Sequence, residues 1–205
     1  MDLAPYVTAF VTLFVIVDPV GLAPLFVALT QGADARHRRG IAIRSILIGA
    51  ALLTLFGLLG EAVLGFVGIS MPAFRIAGGI LLFLTALDML FERRTKRRED
   101  QAAQADDPSV FPLATPLIAG PGALATMILL TGQAPGDWGW IAAVHGVMLA
   151  VMAVTFLFFL AAGIIERALG PTGINVVTRL LGMLLAALSV QFVLDGLRAF
   201  GLAPA

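Results

Sequence analysis

The stretch Val17-Asp18-Pro19-Val20-Gly21-Leu22-Ala23-Pro24 sits in the middle of the first long apolar run, where a membrane-spanning helix should be least interrupted. Pro19 and Pro24 lack an N–H, and Gly21 tolerates backbone angles that other residues avoid. A helix over residues 5–30 is therefore expected to break near Asp18, leaving unpaired backbone groups at membrane depth. Such groups are costly in hydrocarbon, so broken helices persist there only when buried in protein or facing a watery cavity. The same device returns in the second half as Thr115-Pro116-Leu117-Ile118-Ala119-Gly120-Pro121-Gly122-Ala123. Two broken spans at corresponding places in two halves point to the binding site of a transporter.

The rest of the chain agrees with a membrane setting. Of its 205 residues, 60% are hydrophobic and 13% charged, with mean hydropathy +0.99. Soluble domains carry about 45–50% apolar and about 25% charged residues, so an integral membrane protein is expected. With no cysteine, disulfide scaffolds, thiolate catalysis and cysteine-based metal sites are excluded together. A formal net charge of zero suggests no nucleic-acid partner. The start, Met1-Asp2-Leu3-Ala4-Pro5, lacks the positive n-region of a cleaved signal peptide and reads as part of the mature protein.

At about 20 residues per span, six apolar segments fit: residues 5–30, 43–67, 71–91, 111–130, 141–165 and 176–197. Residues 1–91 form a first three-helix unit, 92–110 a charged cytoplasmic linker and 111–205 a second unit. Arg36, Arg38, Arg39, Arg44, the cations of residues 93–98 and Arg167 all flank the loops after spans one, three and five. Those loops are then cytoplasmic and both termini lie outside. Trp138 and Trp140 fall where interface anchors belong, and no strand alternation suggests a β-barrel.

The halves share landmarks in one order: a Pro/Gly break, a Glu-x-x-Leu-Gly ending (Glu61 to Gly65, Glu166 to Gly170) and an Arg-x-x-Gly opening (Arg75 to Gly78, Arg179 to Gly182). Three spans per half make the second half insert upside down. The expected fold is an all-α integral membrane protein of six transmembrane helices in two inverted three-helix repeats, the first and fourth helices broken.

Three stretches carry a family resemblance: residues 18–26, the run Arg75-Ile76-Ala77-Gly78-Gly79-Ile80-Leu81-Leu82, and Pro116 to Ala123. With the sixth span around Gln191-Phe192-Val193-Leu194-Asp195-Gly196, they resemble the MarC/SnatA family of six-span membrane proteins, some of which transport small neutral amino acids. One departure stands in the first motif, where Leu22 follows the glycine and the family often has asparagine. The resemblance implies a secondary transporter of the inner membrane for small neutral amino acids (alanine, glycine or serine), with H⁺ or Na⁺ as coupling ion and no cofactor. A homo-oligomer is compatible with it.

Half-helices starting near Pro19 and Pro121 would point free N–H groups and partial positive charge into the bundle. A zwitterion suits that arrangement, its carboxylate on the N–H groups of one break and its ammonium on the carbonyls freed at another. The candidate binding residues are Asp18, Pro19, Val20, Gly21, Thr115, Gly120, Pro121, Gly122, Ala123 and Thr126. Asp18 could carry a coupling proton, help hold Na⁺ or meet the substrate ammonium, or it could serve as a helix cap alone. Thr115 and Thr126 could bond substrate or back-bond to their own helix. Glu61 with Arg75, and Glu166 with Arg179, can meet across short connections as structural ion pairs or as gates. Gln191 calls for an inter-helix partner, and His145 reads as a satisfied bundle histidine. An intramembrane enzyme would need a nucleophile–base pair, and Ser45, Ser70 and Ser189 have no evident histidine. A channel, an exporter of drugs or other small solutes, and a structural membrane subunit are also compatible with six spans.

Overall fold

A computed structural model describes residues 3–91 and 107–202. Residues 92–106, most of the charged linker, lie outside the described residues, as do both chain ends. Among the described residues every regular element is helical. They are α1 (Ala4–Val17), α2 (Pro19–Leu29), α3 (Ala35–Val67), α4 (Met71–Leu90), α5 (Ser109–Ile118), α6 (Pro121–Thr131), α7 (Trp138–Leu160) and α8 (Ala162–Ala199). Among the described residues five spans are long and apolar enough to cross a membrane, counting α1 and α2 as one; the number is six if α5 and α6, bent by 52° at their break, count as one span.

Local chemistry sets the helix ends. Asp34, Ser70 and Asp137 cap α3, α4 and α7, each side chain accepting the N–H three residues on. Gly68 closes α3 at φ 81°, and Gly170 kinks α8 at φ 61°, both conformations that a β-carbon disfavours. Two boundaries differ from the sequence reading. The basic run Arg36-His37-Arg38-Arg39 forms the first turns of α3 rather than a loop, because Asp34 caps the helix ahead of it at 2.7 Å from the His37 N–H. The helix of the fifth span ends at Leu160, and α8 carries the chain through Gly170-Pro171 into the sixth as a kinked continuation.

α4 and α8 pack lengthwise in antiparallel sense: Gly79 lies against Ser189 and Val193, Gly182 against Ala86 and Met89, and Gly196 against Pro72 and Ile76. α3 turns a stripe of Gly49, Leu53, Gly57, Gly60 and Leu64 inward at helical spacing. Its glycines receive Ile118 of α5, Met127 and Ile128 of α6, and His145 of α7. The opposite side of α3 exposes Leu47, Leu55, Leu59, Val63 and Phe66, the last 94% exposed. Such a continuous apolar face has no place in water and suits lipid.

The broken spans are the inner ones. In the most apolar window of α1–α2, 67% of residues are buried, against 22–33% in the other four single-helix spans. α6 is buried at almost every position from Gly122 to Gly132. The longer, unbroken helices are therefore the wall, and the breaks lie inside it.

Candidate functional site

At the first break α1 ends because Asp18 adopts the left-handed conformation, φ 57° and ψ 63°, with its N–H still donating to the Phe14 carbonyl. That conformation costs most residues about 1–2 kcal/mol, and aspartate is among the few that visit it. Pro19 then opens α2, where its missing N–H is no loss. The Asp18 carboxylate accepts the Gly21 N–H at 3.0 Å, and its carbonyl takes the Leu22 N–H at 3.0 Å. Asp18 is fully buried. The helix cap that the sequence allowed is thus present.

At the second break the chain arrives through α5, ten irregular residues with extended backbone at Phe111 and Thr115. Each precedes a proline in a cis peptide bond, Pro112 and Pro116. Proline pushes the residue before it out of the helical region; the expected break over residues 115–123 includes Thr115-Pro116, and the same signal at Phe111-Pro112 carries the irregular stretch back to the start of the expected span. Gly120 is extended, Pro121 opens α6, and the Gly120 carbonyl accepts the Leu124 N–H at 3.0 Å. No side chain caps this end. α6 therefore begins with N–H groups that its own first turn does not satisfy, whereas at α2 a carboxylate occupies that position.

The two breaks meet. A β-carbon at Gly122 would stand 2.8 Å from Cδ1 of Ile16 and 3.5 Å from Cδ2 of Leu82. Ile16 lies two residues before Asp18, and Gly122 two residues after Gly120. Among the candidates, Asp18, Pro19, Val20, Gly120, Gly122, Ala123 and Thr126 are buried, Gly21 is half-buried, and Thr115 and Pro121 are exposed. Thr126 donates to the Gly122 carbonyl at 2.8 Å. Thr12, Thr30, Ser45, Thr131 and Thr155 bond their own helices in the same way, so in this bundle the buried hydroxyls mostly serve the backbone. Ile16 and Leu82, which shape the meeting point, carry no chemical signal that a sequence could show.

This pair of adjoining breaks belongs to a chain whose residues 3–200 match the profile described as MarC family integral membrane protein. The chain belongs to the MarC family. A UPF0056 membrane protein of Methanocaldococcus jannaschii is 36% identical over 202 residues, covering 97% of this MarC chain and 98% of that protein. The UPF0056 inner membrane protein YhgN of Escherichia coli is 34% identical over 192 residues, covering 94% and 95%. A Bacillus subtilis relative, the UPF0056 membrane protein YvbG, is 34% identical over 198 residues, covering 94% and 93%. No solved structure matches the chain.

The charged candidates of this MarC protein beyond the first break lie on α3, α4 and α8. Glu61 is exposed on α3 and Arg75 half-buried on α4, with no ion pair between them among the described residues. Glu166 is half-buried before the α8 kink and Arg179 exposed after it. Gln191 bonds within its own helix, donating to Asp195 at 2.8 Å, rather than to another helix; it faces outward, where the next turn is its nearest acceptor. Arg44 and Asp107 form an exposed ion pair at 3.2 Å that ties α3 to the start of α5. Ser109 donates to Asp107 through both its hydroxyl (2.7 Å) and its N–H (2.9 Å). These bonds, with Arg44 beside them, hold the Asp107 carboxyl below the usual carboxylate range. Among the described residues no three His, Asp or Glu side chains converge as metal ligands do.

Proposed function

We propose that this chain is a secondary transporter for small neutral amino acids, working by alternating access around the two breaks. The observation that carries the reading is their adjacency with unlike chemistry. The α6 start offers uncapped N–H groups at Gly122 and Ala123, suited to the carboxylate of an amino acid. The α1 end offers the Asp18 carboxylate and the last carbonyls of α1, suited to its ammonium. Ile16 and Leu82 close over Gly122, 2.8 and 3.5 Å from where its β-carbon would stand, which favours a small substrate.

The main helix contacts support reading the chain as two inverted three-helix repeats. Exchanging the halves maps α1–α2 onto α5–α6, α3 onto α7, and α4 onto α8. The packing of α7 on α1 and α2 then becomes that of α3 on α5 and α6, and α2 on α8 becomes α6 on α4. The antiparallel packing of α4 on α8 agrees with a two-fold axis that would exchange them. The E. coli relative is named an inner membrane protein, and we assign the same location here, with the loops after spans one, three and five inside and H⁺ or Na⁺ as the coupling ion.

The test is counterflow in proteoliposomes loaded with unlabelled alanine, following entry of labelled alanine. Transient accumulation, competed by glycine and serine, is expected. Gly122→Leu and Gly21→Leu, inserted and folded as judged by circular dichroism, should each abolish it. Normal counterflow by both variants would remove the breaks from the site, and no counterflow by the wild type would reject the substrate class.

A further inference from the structure

The first turns of α3 gather four arginines, Arg36, Arg38, Arg39 and Arg44, at the helix end where free N–H groups already leave partial positive charge. Cations are disfavoured there, and the protein answers only some of them. The Asp34 carboxylate accepts the His37 N–H at 2.7 Å. Arg44 pairs with Asp107 at 3.2 Å, and the half-buried Arg38 lies 5.8 Å over the Phe26 ring. Arg36 and Arg39 remain. Both are exposed, and neither forms an ion pair among the described residues.

Their place on the helix joins them to its lipid side. Arg36, Arg39 and Ile43 are spaced three and four apart, so they share one face, and Leu47 continues it. Gly40 sits among them, and a β-carbon there would meet nothing within 4 Å, so the backbone between the two guanidinium groups is open. Ile43 and Leu47, 40% and 62% exposed, begin the apolar side of α3 that suits lipid. At 1.5 Å per residue, Arg39 lies about 6 Å and Arg36 about 10 Å beyond Ile43 along the axis. That span takes in the headgroup layer, about 5–8 Å thick on each side of the hydrocarbon.

We propose that this face of α3 is a binding site for an anionic phospholipid, its phosphate bridging Arg36 and Arg39 over Gly40 and an acyl chain following Ile43 and Leu47. The planar fork of arginine matches phosphate oxygens in pairs, and the helix end adds its own attraction for an anion. A zwitterionic headgroup brings a cation of its own to the same place and gains less. The site stands on α3 alone and does not depend on the transport reading. Because α3 packs on α5 and α6, a lipid seated here holds the end of a helix that walls the second break.

The test offers the full-length chain in detergent phosphatidylglycerol and phosphatidylcholine of matched acyl chains, and native mass spectrometry reads the dissociation constant of the first bound lipid. Phosphatidylglycerol should bind more tightly. Arg36→Gln and Arg39→Gln should each lower that preference about fivefold, and the double variant about 30-fold. Arg198→Gln, a cation at the end of α8, should leave it unchanged. A photoactivatable phosphatidylglycerol should label residues 36–47 of the wild type, a readout that decides even where a variant fails to fold. Glycerol 3-phosphate, a headgroup without chains, should not compete at the same concentration. Equal binding of the two lipids, an undiminished preference in the double variant or an equal loss in Arg198→Gln would overturn the site. So would labelling of residues 93–98 in place of 36–47, and full competition by glycerol 3-phosphate would assign the arginines to free phosphate instead of lipid.

Discussion

Substituting Asp18 separates backbone geometry from charge at the first break. The residue has two structural tasks: it holds a left-handed turn at φ 57°, and its carboxylate caps α2 through the Gly21 N–H at 3.0 Å. Alanine fails at both. Loss of the cap costs about 0.5–2 kcal/mol, and a β-carbon-bearing residue in the left-handed region costs roughly 1–2 kcal/mol. Asp18→Ala should therefore lose about 1.5–4 kcal/mol of stability. Glycine adopts the turn freely and loses only a few tenths of a kcal/mol or so as a cap. Asparagine caps as well as aspartate, tolerates the turn and brings no buried charge, so Asp18→Asn should be at least as stable as the wild type. Reversible unfolding in mixed SDS micelles, followed by far-ultraviolet circular dichroism and the fluorescence of Trp138 and Trp140, gives the order directly. Asparagine above glycine above alanine is expected. If asparagine is as damaging as alanine, charge and not geometry holds the break, and the reasoning is refuted. Transport should divide differently: a charge-assisted bond contributes about 1.5–3 kcal/mol, so Asp18→Asn should raise the half-saturating alanine concentration by about tenfold or more.

Three further outcomes follow from the geometry. Gly79→Ala would place its β-carbon 2.8 Å from the Ser189 carbonyl and 3.1 Å from the Val193 N–H. Backbone cannot yield as a side chain does, so α4 and α8 must separate, at about 1–3 kcal/mol in the same unfolding assay. Trp140→Phe keeps a ring against Tyr6 but removes the 2.8 Å bond from Nε1–H to the Leu130 carbonyl; about 0.5–1.5 kcal/mol should be lost, and a null effect would mean that water replaces it. Ser109→Ala removes the hydroxyl bond that does most to lower the Asp107 carboxyl, so Asp107 should titrate at higher pH by carboxyl ¹³C NMR. A depressed folded value means the Arg44–Asp107 tie is complete above the unfolded value of about 3.9 and is lost as pH falls through the folded one. The variant should lose it earlier on acidification.

The membrane class, the helical class and the positions of both breaks follow from the sequence alone. Apolar run length, the two proline–glycine clusters and the left-handed tolerance of aspartate are local properties, and local properties survive translation from sequence to structure. The capping of α3 by Asp34 is equally local, and it places the basic run on the helix. What only tertiary structure decided is which residues meet. Gly122 touches Ile16, and Gly57 seats the ring of His145, because helices from different halves pack side by side. No periodicity within either segment encodes that partner. Asp18 and Gly120 look equivalent as helix breakers, yet one end is capped by a carboxylate and the other open. Their opposite polarities acquire meaning only once packing brings the two breaks together, since a single zwitterion can span two helix ends only when they adjoin.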